Sequence, residues 1–425
     1  MNKNFLIKFI LIALYLLTFA SLNISNYLIY SVLLKLGLTI TLWITTLYYS
    51  KLYNMRLLSE LKKTGKQFFL LLGLFFILIT VTTAYSLNFM FGLLKLINIV
   101  AFGFPFIIIT RLFLLNASEE DKKLFIIFIS VVVLTGSVIV LLFNPFIQNE
   151  LYEFKLTRWS HVVFARTTAP LILILFFHLF KQKQYQKSIT FGVITGLGYY
   201  SIYISNLRAA FLGMSGIILV TILIKIFKKQ LKNIQFSGLI AAFVVFSISL
   251  LISPGNNIIK ERYVNLYSSE IGKIDKDPSI NSRLTGYAIS WELIKKYPFL
   301  GVGFGGFKNY SNADIKLSNE YGNIDIKGFT DWLKYPHNIF IEFQVEMGIA
   351  GTIFFLVILF LIIRTTYKYS TELLLFYVFA LWLALFSKDI STNILFFTGL
   401  AFYGNPYETE RMKELLFPKR NAGVR

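Results

Sequence analysis

The stretch YPFLGVGFGGFKNY, residues 297–310, decides how the whole chain is read. Gly301, Gly303 and Gly306 satisfy G-x-G-x-x-G, the turn that brings a backbone against a pyrophosphate in dinucleotide-binding α/β domains. That fingerprint follows a strand and opens a helix. Here a helical pattern precedes the glycines, and the polar run Lys308 to Asn312 follows them. The surrounding composition is not that of an α/β domain either.

Of the 425 residues, 56% are hydrophobic and 15% charged, and Phe alone contributes 44. A soluble domain carries about a quarter charged residues. Long apolar runs recur along most of the chain, so the expected class is an all-α polytopic membrane protein. There is no Cys, which removes disulfides, thiolate metal sites and a Cys nucleophile. The three histidines are His161, His178 and His337. The net charge of +20 is read as orientation signal in short loops, not as a nucleic-acid footprint. The opening MNKNFLIKFILIALYLLTFA has a positive start and an apolar run without a clear cleavage site, and reads as a retained first helix.

Twelve apolar segments can be drawn: 5–20, 27–49, 67–84, 89–110, 124–143, 162–180, 188–204, 209–224, 236–253, 339–363, 371–386 and 391–403. With the N-terminus in the cytoplasm, even-numbered crossings return to loops bearing Lys51, Arg56, Lys62, Lys63 and Lys66, then Arg111, Lys122 and Lys123. Further on come Lys181, Lys183 and Lys187, then Lys225, Lys228, Lys229 and Lys232, then Arg364 and Lys368. A basic tail follows. This bias places both termini inside. It also puts residues 254–338 outside as one large loop holding the glycine run, where nucleotides are scarce. The glycines are therefore read as permitting a close-packed backbone path, with ligand contact second.

Before the glycines, Leu284, Tyr287, Ala288, Trp291 and Ile294 recur at helical spacing. Asn281 or Ser282 is the expected cap and Pro298 follows the end. The spacing predicts an amphipathic helix on the bilayer surface or against the bundle. Arg283 then falls in the first turn, where a cation opposes the helix dipole. Such an Arg beside free N–H groups suits a phosphate or diphosphate; the alternative is an interfacial Arg solvated by headgroups. The loop closes on Pro336-His337-Asn338, and Glu342 and Glu346 follow at i,i+4 on one helix face. Carboxylates inside a span are costly and turn to a cavity or a polar partner. His337 can accept a proton from a hydroxyl, or simply be a structural group at a helix start. Arg208, in SNLRAAFLG (205–213), runs against the charge bias of the outer side. It either snorkels or meets an anion. Arg158, His161 and Arg166 decorate another outer segment; Arg158, Arg166, Glu342 and Glu346 are secondary candidates. No metal cluster stands out.

Taken in order, Arg208, then SRLTGYAISWELIKKYPFLGVGFGGF, then HNIFIEFQVEMGIAG resemble the shared domain of bacterial O-antigen ligases and O-antigen or capsule repeat-unit polymerases. The motifs are Arg, Pro-x-x-Gly-x-Gly, His-Asn and Glu-x-Gly-x-x-Gly, over roughly residues 190–365. ISNL stands before Arg208 where the family has small residues. The resemblance implies three regions: N-terminal helices (1–187), the ligase- or polymerase-like core (188–370) and C-terminal helices with a basic tail (371–425). It implies transfer of a glycan from undecaprenyl diphosphate to a glycan or lipid acceptor hydroxyl at the outer face of the bacterial inner membrane. On that reading Arg208 and Arg283 bind the diphosphate and stabilise the leaving group, and His337 orients or deprotonates the acceptor. Two guanidinium groups stand in for a divalent cation, so neither cofactor nor metal is expected.

Polymerase and ligase share this chemistry; the reading leans to polymerase, with a chain-length regulator as a partner. A lipid-linked oligosaccharide flippase would show internal repeats and charges lining a mid-membrane cavity, and no repeat is evident. A metal-dependent membrane glycosyltransferase would need an acidic pair in the first outer loop, and SLNISN (21–26) has no acid.

Overall fold

The computed structural model describes residues 3–22, 29–52, 66–116, 118–143, 157–205, 207–252, 278–311, 334–386 and 390–402. Their regular elements are all helical. In order they are α1 (Lys3–Leu22), α2 (Ile29–Leu52), α3 (Lys66–Ala84), α4 (Phe89–Ile97), a π-helical turn (Asn98–Gly103), α5 (Phe104–Asn116) and α6 (Glu119–Phe143). Then come α7 (Thr157–Leu179), α8 (Tyr185–Ile204), α9 (Arg208–Phe227), α10 (Asn233–Ile252), α11 (Pro278–Lys296), α12 (Phe307–Ser311), α13 (Ile339–Tyr369) and α14 (Thr371–Phe386). Most of the expected loop 254–338, the basic C-terminal tail and part of SLNISN lie outside the described residues.

Among the described residues, seven helices are long and apolar enough to cross a membrane. Stretches in α1, α2 and α14 are apolar but shorter. The expected count of twelve is finer than this supports. Its last segment, 391–403, is not a rod: it consists of a 3-10 turn (Ile390–Thr392), α15 (Ile394–Thr398) and a second 3-10 turn (Gly399–Phe402). Pieces this short cannot cross an apolar layer of about 30 Å. They are pinned from inside, where Arg111, expected in a loop, is buried in α5, donates to the Ala401 carbonyl at 2.8 Å and lies 4.5 Å over the Phe68 ring.

Helix α8 carries Gly192 and Gly196 against Gly238 and Ala242 of α10, so close that a Cβ at either glycine would meet the opposing backbone. Lipid gives apolar surfaces no reason to leave it, so association in a bilayer depends on such close packing. At the other side of the bundle Phe75 stacks on Phe397 at 5.0 Å, and Phe343 on Phe355 at 4.6 Å. This aromatic core joins α3, α13 and the broken final segment.

The glycine run threads between two elements. Val302 N–H donates to the Val345 carbonyl at 2.8 Å, Phe304 N–H to Thr82 at 3.1 Å, and Leu87 N–H to the Val302 carbonyl at 3.3 Å. Gly301, Gly303 and Gly305 all have positive φ. A Cβ at Gly303 would run into the Ser86 backbone, and one at Gly305 into Gly92. The glycines therefore serve backbone packing, as expected. Helix α13 is broken at Gly348 (φ 63°, ψ −157°), where Ile349 N–H turns to the Pro298 carbonyl at 3.1 Å. That conformation is open essentially to glycine alone.

Gly348→Ala is expected to cost on the order of 1–3 kcal/mol in backbone strain, before its clash with the Phe299 carbonyl. Gly216→Ala, at an open helical position with nothing within 4 Å, is expected to be neutral or slightly stabilising. Thermal unfolding in detergent separates the two; equal midpoints would contradict the packing role of the kink.

Candidate functional site

The break at Gly348 leaves residues 339–347 as a short half-helix at the end of the bundle read as outer. Its start is well made. The Asn338 side chain accepts from the Phe340 and Ile341 N–H groups at 3.0 and 3.3 Å, satisfying donors that a helix start leaves open. Immediately before it, His337 has φ 62°. A non-glycine residue rarely takes this left-handed conformation, and it persists only where the surroundings hold it. Pro336 is buried, and the Tyr335 and His337 rings lie 4.4 Å apart. The imidazole itself is half-buried.

Below His337 the half-helix is fastened by charge. Glu342 and Glu346 are fully buried, and both bind the Lys95 ammonium at 2.6 Å. Glu342 also accepts from Ile390 N–H at 3.0 and 3.1 Å. Lys95 sits 4.5 Å over the Phe304 ring, so one ammonium joins α4, the half-helix and the glycine run. The expectation that the two carboxylates share a face and turn to a polar partner holds. Beyond it the polar chain continues: the Ser391 carbonyl accepts from Asn98, whose Oδ1 accepts from buried Lys35 at 3.0 Å. Asn98 opens the π-helical turn, a distortion frequent at functional sites.

Sequence reasoning missed Lys95 and Lys35. Both were legible as lysines inside apolar spans, each expensive unless paired. Reading lysines only as loop-side orientation signal passed over them.

Helix α11 differs from its expected form. It begins at Pro278, so Asn281 and Ser282 lie within it and are not its cap. Proline is preorganised for the first helical position and needs no N–H there. Arg283 is consequently beyond the first turn, and the expected pairing of this Arg with open helix N–H groups is overturned. The buried stripe is also rotated. Thr285, Ala288, Ile289 and Leu293 are buried, whereas Leu284 and Trp291 are exposed. Ile289 and Leu293 pack with Val302, Phe307 and Val345, which fixes the rotation through the glycine run and the half-helix. Helix α11 packs directly on α13, the helix that His337 precedes, and Arg283 is half-buried.

Arg208 is the first residue of α9. The Trp382 indole N–H of α14 donates to the Ala209 carbonyl at 2.8 Å and holds that turn. Arg166 is buried in α7, within a candidate span and not in an outer loop. Ala165 next to it and Ala210 after Arg208 belong to one apolar cluster. The arginines are therefore on packed helices α7 and α9. Arg158 lies in the first turn of α7; its side chain and that of His161 are outside the described residues. Helix α14 packs on both α9 and α13. Just before His337, burial and then the nearby Lys308 push the Lys334 ammonium below the usual lysine range.

Replacing Lys95 by Leu leaves two buried carboxylates without their ammonium, and is expected to cost about 3–5 kcal/mol. Adding Glu342→Gln and Glu346→Gln to that variant is expected to restore much of the loss. Unfolding in detergent measures both; a single substitution as stable as the native chain would show that the cluster contributes no net stability.

Residues 191–356 match a family model described as O-antigen ligase. No curated protein matches the chain. The matched segment runs from α8 into α13 and contains Arg208, Arg283, His337, Glu342 and Glu346. The apolar helices make the chain a multi-pass membrane protein, and the likeness of residues 191–356 to the O-antigen ligase family supports a glycan-transferring enzyme of the ligase or polymerase type.

Proposed function

We propose that the protein transfers a glycan from undecaprenyl diphosphate to an acceptor hydroxyl at the outer face of the bacterial inner membrane, as a polymerase of surface-polysaccharide repeat units. Both termini lie in the cytoplasm on this reading, and a chain-length regulator is a partner. The observation that carries it is His337: an imidazole held in left-handed backbone at the head of a clamped half-helix, inside the segment matched to the ligase family.

Arg283 and Arg208 bind the diphosphate and stabilise the charge that develops on it as the glycosidic C–O bond breaks. His337 takes the proton of the acceptor hydroxyl as its oxygen attacks the anomeric carbon. A single displacement inverts the configuration there, and guanidinium groups supply the positive charge without a metal. Ligation of finished glycan to lipid A core or another acceptor uses the same steps. The family match fits both readings.

Protein in vesicles is supplied with lipid-linked repeat units in the presence of EDTA. The expected product is a ladder of lengthening lipid-linked glycans. His337→Ala is expected to lower the rate by about 100- to 10,000-fold, and Arg283→Ala or Arg208→Ala by on the order of 100- to 1,000-fold, with the donor still bound by the His337 variant. Transfer only after adding a non-glycan acceptor would select the ligase reading. Near-native transfer by His337→Ala would remove His337 from the chemistry.

A further inference from the structure

Lys95 lies outside the matched segment, yet both carboxylates it binds lie inside it. Three ionic groups in a buried site are a poor way to gain stability, since apolar side chains of similar volume serve as well or better. What an ammonium between two carboxylates adds is direction. Glu342 and Glu346 sit one turn apart on the same face, so two bonds to Lys95 fix both the rotation and the height of the half-helix. The long part of α13 cannot do this, because the chain breaks at Gly348. The adjoining face is set by Val345, packed with Ile289 and Leu293 of α11. The Phe304 ring beneath the ammonium ties the same point to the glycine run. His337 precedes the half-helix by two residues and keeps a strained φ. Such strain survives only where neighbours over-determine it.

We infer that Lys95 is a positioning residue for His337, acting through Glu342 and Glu346. The inference rests on the function proposed above. Lys95 does not touch the reacting groups; it sets where the imidazole stands. A displacement of about 1 Å is enough to cost on the order of 100-fold in rate.

The test uses full-length protein in vesicles with lipid-linked repeat units as donor. The Lys95→Gln/Glu342→Gln/Glu346→Gln variant exchanges the ionic cluster for neutral amides, and Lys95→Arg keeps the charge. The amide variant is expected to lower kcat on the order of 100-fold with donor KM unchanged within about twofold, and Lys95→Arg to recover most of kcat. Placed in the His337→Ala background, the amide substitutions are expected to cost nothing more. Should the amide variant not fold, Lys95→Arg and Glu346→Gln are each run through the same comparison with and without His337→Ala. A folded variant with full kcat, beside an inactive His337→Ala, overturns the inference and leaves the proposed function standing. So does a loss that multiplies with that of His337→Ala, since it would not pass through the imidazole. An active His337→Ala instead defeats the function reading itself, and the positioning role with it.

Discussion

A lysine ammonium enclosed by two carboxylates at 2.6 Å is the constraint around which one end of this bundle is organised. In a bilayer every polar group away from water must find its partner within the protein. Lys95 in α4 and the glutamates of α13 can meet that demand only together. Their meeting dictates which face of the half-helix turns inward. It also requires Ile390 N–H at the remaining carboxylate edge, which brings the broken final segment up against α13. The polar chain through Asn98 and Lys35 extends the same requirement to α2. Three sequence-distant regions are thus placed by one charge problem.

The glycine run shows how one pattern serves unrelated physics. G-x-G-x-x-G suits a phosphate because glycine accepts positive φ and lets another group approach the backbone. Here the approaching group is protein. Val302 and Phe304 exchange backbone hydrogen bonds with α13 and the end of α3, and the positions between them have no room for a Cβ. The run is a staple between two helical elements. Its closeness also brings Phe304 beneath Lys95, so the staple and the ion cluster support one another.

Much of this was legible from residue types. Apolar runs gave the helical class, and the i,i+4 glutamates in an apolar helix announced a buried polar partner. His337 stood out as a titratable group at a helix start, although nothing in the sequence announces a positive φ at a histidine. What misled was local periodicity in α11. Leu284 and Trp291 belong to an apolar stripe by spacing, but Ile289 and Leu293 won the interior because the half-helix and Phe307 offer them a surface. A helix with apolar residues on two sides cannot declare which side the protein takes. The cap was misread for a related reason: the helix already starts at Pro278, so polar residues further on gave a false start. The final segment failed on length. Its composition is that of a span, but its helical turns are interrupted between Ile390 and Phe402.

The matched segment does not complete its own surroundings. Its glycine run is received by Thr82, Ser86, Leu87 and Gly92 from the α3–α4 turn, and its glutamates by Lys95 just beyond. These N-terminal residues carry no motif that stands out in isolation. Their demands are simple: a carbonyl at the right height, a glycine where two backbones touch, one cation facing two carboxylates. Each can be met by many sequences, provided the helices reach the same place. A domain read by its motifs alone therefore omits the half of the contact that fixes them. Here that omitted half holds the lysine that pairs with both carboxylates beneath His337, so the geometry of the proposed site depends on helices that the motif-bearing segment does not contain.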